Sequence, residues 1–319
     1  MTKKLQIAYT DDYLKWNLGA GDGSHITKPI RAQLATEYLL DALESDVQVI
    51  DPAVRETDRL RVESVHDVDY VSEVLDDYRA RDWDGESKDN AETALKMFAG
   101  TARLVENMIA GEVNVGFNPQ GAKHHAAYDN SEGFCVFNDM AWAALELREA
   151  GLKPLYIDWD VHAGDGVQNL LAGTDIPTLS IHGSGIYPFG NGNHSMDRDV
   201  LGTTHTWHNE DEHWYNWNLK LGSGDEELFT ALDEVEDIVN MYEPDVILLA
   251  TGADGHEGEF WGINYTYDGF LEGARRVARM AHRHTSGRVL IGGAGGYQAE
   301  TWTPVIWAGV VSTIYRESQ

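Results

Sequence analysis

The chain has 319 residues, 42% of them hydrophobic, and carries 53 Asp plus Glu against 24 Lys plus Arg, a formal net charge of −29. That length buries a large core and suits one α/β domain or two smaller ones, while the charge argues against a direct nucleic-acid footprint. No segment approaches the ~20 apolar residues of a membrane span; no apolar stretch follows the two early lysines as in a signal peptide; and the single cysteine, Cys135, excludes an internal disulfide and fits a reducing cytoplasm.

In chain order, short runs rich in β-branched residues predict strands at 5–8, 113–117, 154–157, 178–181, 246–250 and 289–291. Between them lie segments of helical period. Ala91, Ala94, Leu95, Phe98, Ala102, Val105 and Ile109 recur at steps of three and four, which predicts one amphipathic helix over 90–110 closed by Gly111. Leu228, Leu232, Val235, Ile238, Val239 and Tyr242 do the same until Pro244 stops the pattern. The alternation predicts a single α/β domain over 1–319, with a central, mostly parallel sheet and helices on both faces. Residues 183–217, rich in Gly, Asn, His and Trp, show neither period and are expected to form a long irregular loop near the active-site rim. The acids are scattered along the chain instead of forming a tail, so the charge reads first as a surface adapted to a salt-rich cytoplasm. A basic partner or cationic substrate is the other reading.

Each chemically loaded cluster follows one of the predicted strands: QGAKHHA after 113–117, DWDVHAGDG after 154–157, TGADGHEGE after 246–250 and GGAGGY after 289–291. Ligands of open α/β sheets bind at the carboxyl ends of strands, so the four clusters are expected to share one site. In extended chain, residues i, i+2 and i+4 point to one side, which lets Asp158, Asp160 and His162 face a common point. Two carboxylates and an imidazole in an apolar setting are unfavourable unless a divalent cation compensates them. With Asp254 joining Asp160 and His162, the set is two carboxylates and one histidine with an open position for water; it suits Zn²⁺, and Fe²⁺ or Co²⁺ would also bind. The plainer alternative for DxDxH alone is a salt-bridged strand end.

The neighbouring His124 and His125 can act as acid and base once carboxylates fix their tautomers, and Asp158 and Asp165 are available for that. Tyr297, behind a glycine run that admits close backbone approach, can donate its hydroxyl to an oxyanion. A solvated histidine pair and a packing tyrosine are the plainer alternatives.

Taken together, these elements resemble the histone deacetylase superfamily, which includes acetoin-utilisation proteins and acetylpolyamine amidohydrolases. VHDVDYV (65–71), GAKHHA (121–126), GFCVFND (133–139), LYIDWDVHAGDGVQ (155–168), WNLKLGSGDEE (217–227), GAD (252–254) and GGAGGY (292–297) are similar to the family's elements, in the usual order and over nearly the whole chain. The resemblance implies an arginase-like, three-layer α/β fold and a zinc-dependent deacetylase. Its single metal would be held by Asp160, His162 and Asp254. It pairs His124 with Asp158 and His125 with Asp165, makes Tyr297 the transition-state hydroxyl, and lines an acyl-lysine-shaped tunnel with Phe134 and Tyr187. It also implies a structural potassium ion at Asp158, Asp160 and His162 with Ser180 and Ile181. The implied substrate is acetyl-lysine on proteins, or alternatively a small acetylated amine such as an acetylpolyamine, with neither nucleic acid nor membrane as partner. Three departures stand out: GAKHHA in place of PPGHHA or GGWHHA, Glu259 where the family has Asp before a Pro, and a longer, Trp-rich 183–217. Ureohydrolases with two manganese ions share this fold, but the pair His124-His125 and the Gly255-His256 that follow Asp254 lack the extra carboxylates a second metal needs.

Overall fold

The protein is described by a computed structural model covering residues 3–19, 26–188, 205–209 and 213–318. Its strands are β1 (Leu5–Ala8), β2 (Val47–Ile50), β3 (Val115–Asn118), β4 (Pro154–Asp158), β5 (Thr178–Gly183), β6 (His205–Asn209), β7 (Trp214–Leu219), β8 (Val246–Ala250) and β9 (Val289–Gly292). They form one sheet in the order β2-β1-β3-β9-β8-β4-β5-β7-β6, parallel throughout except that edge strand β6 runs against β7.

Strand alternation divides the core in two. Leu155 and Ile157 of β4, with Ile247 and Leu249 of β8, face a cluster shared with α1 (Ile30–Leu43), α7 (Asp225–Tyr242), α8 (Tyr267–His284) and α9 (Trp302–Glu317). Tyr156, Val246 and Leu248 face the opposite cluster, built on α3 (Val68–Leu75), α4 (Lys88–Ile109), α5 (Asp139–Glu149) and α6 (Asp165–Leu171). A parallel sheet covered on both faces has strands that are apolar at every position, and β4 and β8 are buried along their whole length. The result is the expected arginase/deacetylase-like three-layer arrangement. No helix among the described residues is long and apolar enough to cross a membrane.

Two helices form where their periodicity places them. For α4, the Ser87 side chain caps the N-terminus by accepting from the Asn90 N–H at 3.3 Å, and Gly111 just beyond its end takes a left-handed φ of 72°. The helix α7 ends on Glu243 in the left-handed region, just before Pro244.

The expectation of an irregular stretch over 183–217 is corrected. Gly183 is the last residue of β5, 205–209 form β6, and 214–217 belong to β7; residues 189–204 and 210–212 lie outside the described residues. β7 hides its period because its buried positions include Asn216, whose amide donates to Gln168 at 2.8 Å, and Trp217, whose indole N–H donates to Glu234 at 2.8 Å. Polar groups satisfied this way sit inside without apolar patterning. The short edge strand β2 was not anticipated either, since only Val47 among its four residues is fully buried.

The register matters most for function. Across the middle of the sheet, Asn118 pairs with Gly292, Gly292 with Ala250, Ala250 with Asp158 and Asp158 with Ser180. The carboxyl ends of β3, β9, β8 and β4 therefore finish in one row, with β5 running three residues further.

Candidate active site

From that row the chain after β4 is held by its own side chains. Asp158 Oδ1 accepts the Asp160 N–H and Asp160 Oδ1 accepts the His162 N–H, both at 2.9 Å. These short side-chain-to-backbone bonds replace the sheet ladder where the strand ends. Asp254, at the end of β8, accepts the Val161 N–H at 3.0 Å, and the Gly295 N–H after β9 donates to Asp160 Oδ2 at 2.7 Å. Gly252 and Gly295 are needed here because a Cβ at either position would fall inside the Asp160 or Asp254 carboxylate.

Asp160, His162 and Asp254 thus offer one ligand atom each within 4.8 Å of one another, all buried. His162 Nδ1 lies 3.1 Å from an oxygen of each carboxylate. Burial and the Asp160 charge push Asp254 up to about 6; burial acts the same way on Asp160 but is outweighed by His124 and His162, which hold it low. The two carboxylates, against the effect of burial, raise the His162 imidazole to about 10. Two acids this close are compensated either by a proton on His162 or by a divalent cation on the same three donors, so the set fits a metal. Asp158 is not part of it. Its Oδ2 instead takes the Tyr156 hydroxyl at 2.6 Å and His124 Nδ1 at 2.7 Å.

His125 Nδ1 lies 2.7 Å from Asp165 at the start of α6, and the rings of His124 and His125 are 4.0 Å apart. Burial would lower both imidazoles. For His124 the carboxylates of Asp158 and Asp160 outweigh it and raise the group to about 9, whereas for His125 burial, reinforced by the neighbouring His124, prevails and holds it low. The support of the GAKHHA loop comes from the GFCVFND element. Asp139 accepts the Ala122 and Lys123 N–H groups at 3.1 and 2.8 Å, and the Asn138 amide donates to the Ala126 carbonyl at 3.1 Å.

Tyr297 sits with His125 and His162 where two cavities meet. Glu259, the departure noted in sequence, accepts the N–H groups of Tyr297 and Gln298 at 2.7 and 2.8 Å and so fixes the loop carrying the phenol. Burial and the charges of Asp254 and Asp160 push that phenol well above its ordinary range, which keeps it a proton donor. The outer cavity, about 280 Å³, is lined by Phe134 and Tyr187 together with residues the sequence reading missed: Trp261, Arg81, Asp82 and Glu132. Trp261 stands edge-on to the His162 ring at 4.4 Å, and the Tyr187 hydroxyl donates to Glu132 at 3.1 Å. The only sequence signal for Trp261 was an aromatic pair, Phe260-Trp261, shortly after GAD.

Of the residues expected around potassium, Asp158 lies opposite Ser180 in the sheet register, and the Ser180 hydroxyl accepts the Gly164 N–H at 3.3 Å. The Ile181 side chain is buried in the core, so it has only its carbonyl to offer.

A parallel α/β sheet whose carboxyl edge gathers a buried two-acid, one-histidine set beside two carboxylate-paired histidines has the donor set and the acid–base pair that metal-assisted hydrolysis uses. The chain belongs to the histone deacetylase family: the histone deacetylase domain matches residues 25–314. It is 28% identical over 328 residues to the acetoin utilization protein AcuC of Staphylococcus aureus (strain COL), covering 97% of this chain and 81% of that one. It is 30% identical over 228 residues to a probable deacetylase of Archaeoglobus fulgidus, covering 69% and 60%. The crystal structure of the HDA15 HD domain superposes with a TM-score of 0.80 at 24% identity, covering 99% of this chain and 91% of that domain, a likeness of fold. These relationships support a hydrolase of the deacetylase kind.

Proposed function

We propose that the protein is a metal-dependent amidohydrolase that removes acyl groups such as acetyl from lysine side chains of proteins. Small acetylated amines such as acetylpolyamines are the second substrate class. The observation that carries this reading is the pair His124 and His125, each bonded to its own carboxylate at 2.7 Å beside three converging metal donors.

Asp160, His162 and Asp254 would hold Zn²⁺, with Fe²⁺ or Co²⁺ as substitutes, and Asp158, Asp160, His162, Ser180 and Ile181 would hold potassium. The divalent ion would supply Lewis acidity, polarising the amide carbonyl and lowering the pKa of water toward ~7. His125, oriented by Asp165 and not held charged, takes the proton of the attacking water. His124, oriented by Asp158, adds electrostatic support. Tyr297 donates to the oxyanion that develops on the carbonyl oxygen. A protonated histidine then delivers its proton to the departing nitrogen, giving a carboxylic acid and a free amine. At the mouth Glu132 is already ion-paired with Arg81, which leaves Asp82 as the carboxylate facing an incoming cationic chain, and the lone cysteine fits a cytoplasmic setting.

The test is acetate release by zinc-loaded protein from acetyl-lysine peptides and from acetylspermidine. Turnover of the peptides is expected to exceed that of acetylspermidine. Replacing Tyr297 with Phe is expected to cost about 10²–10³ in kcat with metal content unchanged. Undiminished turnover in that variant overturns the role of the phenol, and no turnover of either substrate overturns the function.

A further inference from the structure

The inner cavity carries two buried basic side chains that no carboxylate among the described residues ion-pairs or hydrogen-bonds, although Asp160 shares the lining. Arg31, 5% exposed, and Lys123, 9% exposed, line a space of about 30 Å³ together with His124, His162 and Tyr297. Arg31 donates from a terminal nitrogen to the Gly296 carbonyl at 2.5 Å and stacks over Trp307 at 4.9 Å, while its Nε has no partner. The Lys123 ammonium faces the Trp16 ring at 5.9 Å, and no hydrogen bond or ion pair joins it to any described residue. Asp139 is occupied by Thr101, by the Ala122 N–H and by the backbone N–H of Lys123; Asp160, which lines the same space, and Asp254 act on Arg31 by charge but spend their hydrogen bonds on Gly295, His162 and Val161; and burial pushes the Cys135 thiol up to about 12, leaving it neutral.

A buried ammonium is unfavourable unless an anion meets it, and an aromatic face at that distance offsets only part of the cost. The departure of GAKHHA from the family pattern puts that ammonium beside the catalytic histidines, where the acyl end of an amide substrate has to lie. A space of about 30 Å³ holds roughly two or three waters at about 10–15 Å³ each, the room for a methylene and a carboxylate.

We propose that Lys123 and Arg31 form a carboxylate-binding subsite that selects amides whose acyl group ends in its own carboxylate, malonyl fitting best. The inference rests on the amide hydrolysis proposed above and names its acyl class. The chemistry is unchanged. Water oxygen bonds to the acyl carbon, the carbon–nitrogen bond breaks, the nitrogen takes a proton, and the products are the free amine and malonate, with no oxidant or reductant.

The test compares kcat/KM of the zinc-loaded protein on malonyl-, succinyl-, glutaryl- and acetyl-lysine versions of one peptide. Malonyl-lysine is expected to be the best substrate, with rates falling from succinyl to glutaryl. Lys123→Met is expected to lower the malonyl-to-acetyl ratio roughly 10- to 100-fold, the size of losing a charge-assisted hydrogen bond. Lys123→Arg is expected to keep the ratio high, and Lys123→Gln serves where the Met variant fails to fold. Preference of the wild type for acetyl-lysine, or a ratio that survives loss of the ammonium, overturns the subsite and leaves amide hydrolysis standing. Absence of turnover on all four peptides instead overturns the hydrolysis itself.

Discussion

His124 and His125 are adjacent in sequence with rings 4.0 Å apart, yet each is tied through Nδ1 to a different carboxylate, Asp158 at the end of β4 and Asp165 at the start of α6. One pair is anchored to the sheet edge, the other to a helix. Their roles separate on mutation: His125→Ala, which removes the proposed proton acceptor, is expected to lower kcat by about 10²–10⁴. Asp165→Asn leaves the imidazole in place and is expected to lower it less. Steady-state rates with metal content measured on the same samples check both.

Metal removal gives the second expectation. Wild-type protein is expected to bind one catalytic divalent ion per chain, and Asp254→Ala to bind none under the same conditions. Because the ion binds the folded state, zinc at about 100 times its Kd is expected to stabilise the protein by about 2.7 kcal/mol. Elemental analysis and melting curves with and without chelator decide this. A wild type that melts identically in both overturns it.

Trp261 gives the third. Its ring meets His162 at 4.4 Å, Phe260 at 4.6 Å and Tyr297 at 5.9 Å, forming one wall of the outer cavity. Trp261→Ala is expected to reduce kcat/KM on acetyl-lysine peptides roughly 2- to 10-fold, the value of an aromatic contact, while admitting amines with bulkier chains. Rates on a linear and a branched amide series measure the change.

The fourth concerns acid stability. His66 is buried, with Nδ1 2.7 Å from the Ala127 carbonyl and Nε2 accepting the Asn138 N–H at 2.9 Å. Nε2 therefore has no room for a proton, and burial lowers the imidazole to about 4. The unfolded chain takes up its proton near 6.5. Stability from this group is thus complete above about 6.5 and lost progressively as pH falls toward 4, by about 3 kcal/mol in all. Urea midpoints measured across that window are expected to fall with pH, and less steeply in His66→Gln.

The sequence made the catalytic row legible because the same residues that bury the strands also mark their ends. β4 and β8 are apolar at every position until Asp158 and the Thr251 that follows Ala250, so a change of composition coincides with a change of structure. The DxDxH spacing was legible only in part. Alternation suggested that Asp158, Asp160 and His162 share one direction, whereas Asp158 turns to His124 and Tyr156 because hydrogen bonds, not an extended ladder, set the path beyond residue 158. β7 stayed hidden because Asn216 is buried with its partner on another element, a relation no local pattern carries. Asp139 was invisible as the support of the histidine loop for the same reason.

Gly252 and Gly295 press their bare Cα atoms against the Asp160 and Asp254 carboxylates. Hydrogen in place of carbon at two points sets how near the acids can come to one another. An unbiased mutational scan would therefore score an added methyl at either position as severely as deletion of a ligand, although neither glycine has a functional group to lose.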